Sequence, residues 1–317
     1  MPVIETDGLT KRYGSARGIE DVSMTVEAGE VFGFLGPNGA GKTTTVRVLL
    51  DLLHPTSGSA RIFGLDTRRD SVAIRARLGN LPGDFAYDPQ LTGRELLTLL
   101  ARIRGVRGLG RAEALAERFR ADLDRPLGHL SRGNRQKIGL IQALFHEPEL
   151  LILDEPTSGL DPLMQEEFMA LVGEERERGR TVFLSSHDLD EVERVCDRVG
   201  IIREGRLVAV ESVAELTRKS YRHVRIELAG PPDAAEFAAL PGVRDLAVDG
   251  RTVTFKTSGP LDPVVKAAAR HTVVDIELSH PTLEEVFLTY YEGDGRTAGA
   301  GAEGRTAGAG AEGDGAR

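Results

Sequence analysis

Gly36-Pro37-Asn38-Gly39-Ala40-Gly41-Lys42-Thr43 stands between a short apolar run, Val31-Phe32-Gly33-Phe34-Leu35, and a stretch with helical spacing, Thr44-Thr45-Val46-Arg47-Val48-Leu49-Leu50-Asp51-Leu52-Leu53. A buried strand, a glycine-rich turn and a helix in this order bring unpaired backbone N–H groups to the positive end of a helix dipole, a ready receptor for phosphate oxygens. The spacing G-x-x-x-x-G-K-T adds two side chains to that receptor. Lys42 is expected to reach the β- and γ-phosphates and Thr43 to place its hydroxyl on Mg²⁺, with residues 36–41 and Thr44 completing the cradle.

Working outward, Glu149-Leu150-Leu151-Ile152-Leu153 reads as a second buried strand that ends in two adjacent carboxylates, Asp154 and Glu155. Successive strand residues point to opposite faces, so the pair can divide its labour. Asp154 is expected to hold Mg²⁺ directly or through water, and Glu155 to polarise the water that attacks the γ-phosphate in line. Upstream, Leu130-Ser131-Arg132-Gly133-Asn134 precedes a helical pattern that runs from Asn134 to Phe145. Ser131 is a good N-cap there, and its hydroxyl and the Gly133 N–H would face an anion. A third apolar strand, Thr181-Val182-Phe183-Leu184-Ser185, leads into Ser186-His187.

In order and spacing these motifs resemble the ATP-binding subunit of an ABC transporter over roughly residues 3–217, an α/β cassette with a helical subdomain at about 84–146. Leu130 to Asn134 is similar to the family signature LSGGQ and departs from it at Arg132 and Asn134. The resemblance implies ATP and Mg²⁺ as ligands and a head-to-tail dimer, in which Ser131 and Gly133 of one copy close on the ATP held by the loop of the other. It also implies that Asp161, at the end of Pro156-Thr157-Ser158-Gly159-Leu160-Asp161, lies at that interface. His187 matches the switch histidine that contacts the γ-phosphate, and Tyr13 the aromatic residue that stacks on adenine. One family position is missing: the glutamine that links the metal shell to the membrane partner falls at Gly83. Neither Gln90 nor Gln136 is in register to replace it, and Asp84 offers a carboxylate one residue later.

The 317 residues exceed one ordinary domain, and the net charge of −9 with both signs interspersed leaves no cationic face for nucleic acid. No apolar run approaches the ~20 residues that cross a bilayer, and Met1-Pro2-Val3-Ile4-Glu5-Thr6-Asp7 lacks the basic-then-apolar pattern of a leader. The transport role that the resemblance implies would therefore require a separate integral-membrane permease as partner, with this chain at the cytoplasmic face of the membrane. The single cysteine, Cys196, excludes an intrachain disulfide. The arginines at 102, 104, 107 and 111 read as a solvated helix face.

The pattern changes beyond residue 218. Segments 224–228, 234–239, 243–248, 252–257, 263–269, 273–278 and 283–291 read as strand, helix, strand, strand, helix, strand, helix. This is the order of a small ferredoxin-like α+β domain with a closing helix over 219–292. Asp249-Gly250 between two alternating runs marks a hairpin. Residues 293–317 hold a nine-residue Gly/Ala-rich repeat with too little apolar bulk to offset chain entropy, and are expected to be a disordered tail. Similar C-terminal extensions in ATPases of daunorubicin-type exporters, and the LSRGN variant of the signature, point to the drug-exporting branch. The competing reading is a soluble ABC-type ATPase that remodels a cytoplasmic partner without transport; an importer's ATPase is a third.

Overall fold

The computed structural model describes residues 2–14, 16–85, 87–219 and 221–279. The chain runs β1 (Pro2–Tyr13), β2 (Ala16–Glu27), β3 (Val31–Leu35), α1 (Lys42–Leu49), β4 (Ser57–Ile62), β5 (Leu65–Asp66), α2 (Ser71–Ala76), β6 (Leu78–Leu81), α3 (Gly93–Arg104), α4 (Gly110–Phe119), α5 (Arg132–Leu144), β7 (Leu150–Asp154), α6 (Pro162–Glu177), β8 (Thr181–Ser186), α7 (Leu189–Val195), β9 (Arg198–Arg203), β10 (Arg206–Ser212) and α8 (Val213–Lys219). It continues with β11 (Arg222–Leu228), α9 (Ala234–Ala238), β12 (Val243–Asp249), β13 (Thr252–Thr257), α10 (Asp262–Ala268) and β14 (Val273–Ser279).

Strands β3, β7 and β8 are buried along their whole length. A strand buried on both faces must be apolar without alternation, which is why these segments read as continuous runs. They lie parallel in a six-stranded sheet of order β10-β9-β3-β8-β7-β6, with β10 antiparallel at one edge. One face packs on a cluster from α3 to α7, including Leu97, Phe119, Ile141 and Phe168. The other face packs on α1 and on a second sheet, β2-β1-β4-β5, through Ile4, Leu9, Val22 and Val46. The strand order decides the function. β8 lies between β3 and β7, pairing Leu35 with Ser186 and Asp154 with Ser185, so three motifs distant in sequence end side by side at the carboxyl ends of adjacent strands.

The helical stretch between the motifs resolves into α3, closed by a reciprocal Thr92–Glu95 capping box, and α4. Helix α1 ends at Leu49, four residues before the helical spacing does. Asp51 turns into a left-handed conformation (φ 54°), and the N–H groups of Leu52 and Leu53 both return to the Arg47 carbonyl.

Strands β11 to β14 and helices α9 and α10 follow the expected βαββαβ order, in an antiparallel sheet β12-β13-β11-β14. Phe237, Val264 and Ala267 pack on Val224, Ile226, Val253 and Phe255 to form a separate core. Asp249 pairs with Thr252 across the hairpin, where Gly250 takes φ 59°. The expected closing helix at 283–291 and the tail at 293–317 lie outside the described residues.

Candidate nucleotide site

The loop after β3 is shaped by two glycines. A Cβ on Gly36 would stand 2.4 Å from the Ile202 carbonyl oxygen, and Gly41 takes φ 114° with a Cβ position 2.7 Å from Ile19. Gly41 caps α1 without a side-chain hydrogen bond, so the first-turn amides of Lys42, Thr43 and Thr44 have no intrahelical acceptor. Pro37, Asn38 and Gly39 are exposed, while Gly36 and Ala40 are buried. Lys42 is only 5% exposed. Its Nζ lies 2.6 Å from the Gly36 carbonyl, 3.4 Å from that of Pro37 and 3.1 Å from Glu155 Oε1.

Asp154 ends β7 with 1% exposure, and Ser185 Oγ donates to its Oδ1 at 2.5 Å. Its Oδ2 faces the chain leaving β6: a Cβ on Gly83 would meet it at 2.9 Å. The next residue, Glu155, adopts φ 51°, a conformation that costs a non-glycine residue about 1–3 kcal/mol. Its N–H donates to the carbonyl and the hydroxyl of Ser185, each at 3.2 Å. The turn reverses the carboxylate away from the strand direction. Oε1 then lies beside the Lys42 ammonium, too poorly aligned for a hydrogen bond, and Oε2 lies 2.6 Å from His187 Nδ1. Nearby, burial pushes the Glu191 carboxyl above its usual range, and Ser186 Oγ donates to it at 3.0 Å.

The donors around this point suit Mg²⁺. They are hard oxygens, the Thr43 hydroxyl and the Asp154 carboxylate, and among the described residues no group of three or more His, Cys, Asp and Glu that could hold a metal gathers, here or elsewhere. A metal that keeps water and phosphate oxygens as its main ligands needs no denser protein cage.

Other expected site residues lie apart from this cluster. Ser131 caps α5, its Oγ accepting from the Asn134 N–H at 3.3 Å, and the helix begins at Arg132, two residues before the predicted start. Gly133 packs against the Gly159 carbonyl, 2.6 Å from a built Cβ, and Arg132 Nη2 donates to Ser158 Oγ at 2.8 Å. Among the described residues no hydrogen bond or ion pair joins 131–134 to the loop at 36–43. Asp161 caps α6 through the Met164 N–H at 3.0 Å. Tyr13 ends β1 and is 42% exposed, its ring beside Gly18 and with the Lys11 ammonium 5.6 Å from its centre. Asp84 is exposed and makes no hydrogen bond or ion pair among the described residues; it is Gly83 that abuts Asp154.

Two residues at the site are not named by its motifs. Ser185 orients Asp154 and supports Glu155, and Gln136, on α5, donates to the carbonyls of Glu155 and Pro156. Ser185 is signalled by a hydroxyl in a strand buried along its whole length, whereas Gln136, among the polar residues of the first turns of α5, carries no such local signal.

A phosphate cradle, a buried aspartate and a glutamate held between lysine and histidine, all at the carboxyl ends of adjacent parallel strands, define a P-loop nucleoside-triphosphate-binding protein. Residues 19–158 match the ABC transporter family model. The bacitracin transport ATP-binding protein BcrA of Bacillus licheniformis is 40% identical over 302 residues, 92% of this chain and 98% of that protein. The daunorubicin resistance ATP-binding protein DrrA3 of Streptomyces coeruleorubidus is 38% identical over 92% of this chain and 96% of its own. Among solved structures, an ATP-binding subunit of an ABC transporter is 32% identical with a TM-score of 0.62, covering 68% of this chain and 92% of that one. The dimeric structure of a bacterial ABC transporter cassette shares the fold at 24% identity and a TM-score of 0.61, over 66% of this chain and 98% of that one. The chain belongs to the ABC transporter family, as one of its ATP-binding subunits. Its relatives are named for bacitracin transport, daunorubicin resistance and Nod factor export, a wider kinship than the daunorubicin type alone.

Proposed function

We propose that this chain hydrolyses ATP to drive a separate membrane permease that exports hydrophobic, drug-like compounds. The observation that carries the catalytic reading is the Glu155 carboxylate, turned out of β7 and held between Lys42 and His187. In that position it can accept a proton from water attacking the γ-phosphate, while His187 contacts the same phosphate. The loop N–H groups of residues 36 and 38–44, shaped around Pro37, and the Lys42 ammonium hold the β- and γ-phosphates, and Tyr13 offers its exposed ring to adenine. Thr43 and Asp154 would hold Mg²⁺, which would supply charge neutralisation for the phosphates.

Ser131 and Asp161 cap their own helices and Gly133 rests on the Gly159 carbonyl, and among the described residues none of the three is joined by a hydrogen bond or ion pair to the loop at 36–43 of its own chain, in keeping with a role across an interface. We assign them to a head-to-tail dimer with a second copy, where α5 presents its N-terminus to the partner's ATP. The dimeric form of the structural relative supports this arrangement, and the transport, resistance and export names of the sequence relatives support the exporter reading. The cassette is assigned to 1–218, with its helical subdomain at about 84–146 facing the permease, and an accessory domain to 219–292. Among the described residues no helix is long and apolar enough to cross a membrane, so a permease has to supply the span. The site of action is then the cytoplasmic face of the membrane.

The test is to purify the tagged chain from detergent-solubilised membranes of its host and identify what co-purifies. A stoichiometric multi-span protein is the expected result. Recovery only from the soluble fraction, with soluble partners, would favour a remodelling ATPase instead.

A further inference from the structure

We propose that Gln136 is a positioning residue for Glu155, fixing from the signature helix the backbone turn that aims the catalytic carboxylate. The inference rests on the ATPase reading above. Gln136 lies one turn into α5 and is 8% exposed. Its Nε2 is 2.9 Å from the Pro156 carbonyl oxygen and 3.2 Å from that of Glu155. Both partners can only accept, so the amide nitrogen is the end that faces them.

Glu155 needs such a clamp. Its left-handed backbone persists only where surrounding groups hold it. On the N-terminal side Ser185 accepts from its N–H, and on the C-terminal side Gln136 grips its carbonyl and the next one. The peptide plane between Glu155 and Pro156 therefore has its oxygen tied to α5. Rotating that plane would swing the carboxylate off Lys42 and His187. Farther along the same loop, Arg132 donates to Ser158 and Gly133 rests on the Gly159 carbonyl. Helix α5 thus carries, on one side, the residues assigned to the partner's ATP and, on another, the clamp on its own chain's base. A shift of α5 on closing of the dimer would be transmitted to Glu155 through Gln136.

The experiment measures ATP hydrolysis by the full-length chain against ATP concentration in Mg²⁺, for wild type, Gln136→Glu, Gln136→Met and Gln136→Asn. Binding of a non-hydrolysable ATP analogue and thermal melting are measured on each. Gln136→Glu keeps the shape and loses the donor. Because small misplacements of a catalytic group cost up to about a hundredfold, kcat should fall ten- to a hundredfold in the Glu and Met variants, with KM and analogue affinity within about threefold. Gln136→Asn, which keeps the donor on a shorter arm, should recover part of the loss. Adding Gln136→Met to Glu155→Gln should cost nothing further, since the residue acts only through Glu155. Wild-type kcat in Gln136→Glu, losses of kcat and analogue binding in step, or additive losses in the double variant would each overturn the clamp. If Met disrupts folding, the Glu and Asn variants decide. A wild-type chain that hydrolyses no ATP would defeat the ATPase reading itself; an active wild type with unaffected Gln136 variants would defeat only this inference.

Discussion

Glu155→Gln keeps the shape of the side chain and removes one negative charge from between Lys42 and His187. Two effects follow, on different steps. The first is on chemistry: loss of a positioned general base typically costs 10²–10⁴-fold, so kcat should fall by at least about a hundredfold. The second is on binding. At 3.1 Å and an effective dielectric constant of about 20, the attraction between Lys42 and Glu155 is about 5 kcal/mol gross, most of it offset by the desolvation of both groups. In the wild type that attraction competes with the γ-phosphate for the Lys42 ammonium, and the carboxylate also repels the phosphate. Glutamine relieves both, while Gly36 and Pro37 carbonyls still hold Lys42 in the loop. ATP affinity should therefore hold or rise, by up to about tenfold or 1.4 kcal/mol. Single-turnover phosphate release and calorimetric ATP titration measure the two effects separately. Hydrolysis within about tenfold of wild type would refute Glu155 as the base, and weakened ATP binding would refute the competition for Lys42.

Gly83→Ala places a methyl 2.9 Å from Asp154 Oδ2, whose partner oxygen is already tied to Ser185; the Mg²⁺ concentration for half-maximal rate should rise several-fold, and an unchanged Mg²⁺ titration would show the contact to be idle. Asp84→Ala tests whether the neighbouring carboxylate stands in for the missing glutamine: the expected loss is in stimulation of the ATPase by the permease, and equal stimulation would remove Asp84 from the coupling. Glu175 is fully buried and ion-pairs with Arg111, Arg178 and Arg180, so Glu175→Gln should destabilise the chain by about 3–5 kcal/mol in urea unfolding; a change below about 1 kcal/mol would contradict that cluster. Burial, aided by the Arg104 charge, pushes His146 down to about 4, whereas the unfolded side chain takes its proton near 6.5. Protons then bind the unfolded chain preferentially between these values, so the contribution is full above about pH 6.5 and declines as pH falls towards 4. Allowing for partial solvent screening, unfolding should cost about 1 kcal/mol less at pH 5 than at pH 7.5 on this account, and His146→Gln should flatten that difference.

Local patterns in the chain determine the phosphate loop, the acidic strand end and the helix capped by Ser131, because each is specified by residues close in sequence. Continuous apolar runs give β3, β7 and β8, and the alternating segments with Asp249-Gly250 between two of them give the C-terminal βαββαβ order. Family resemblance identifies the glutamine position at Gly83 as altered, yet the sequence points to Asp84 while the structure puts Gly83 itself against Asp154. What no local pattern contains is the order of the strands. Only the tertiary fold inserts β8 between β3 and β7, and this insertion sets Ser185 on Asp154 and His187 on Glu155. The left-handed turn at Glu155 is likewise invisible in its own residue type, which favours other conformations. It depends on Ser185, 30 residues later, and on Gln136, 19 residues earlier, and contacts at such separations are fixed by packing of the two cores and not by propensity.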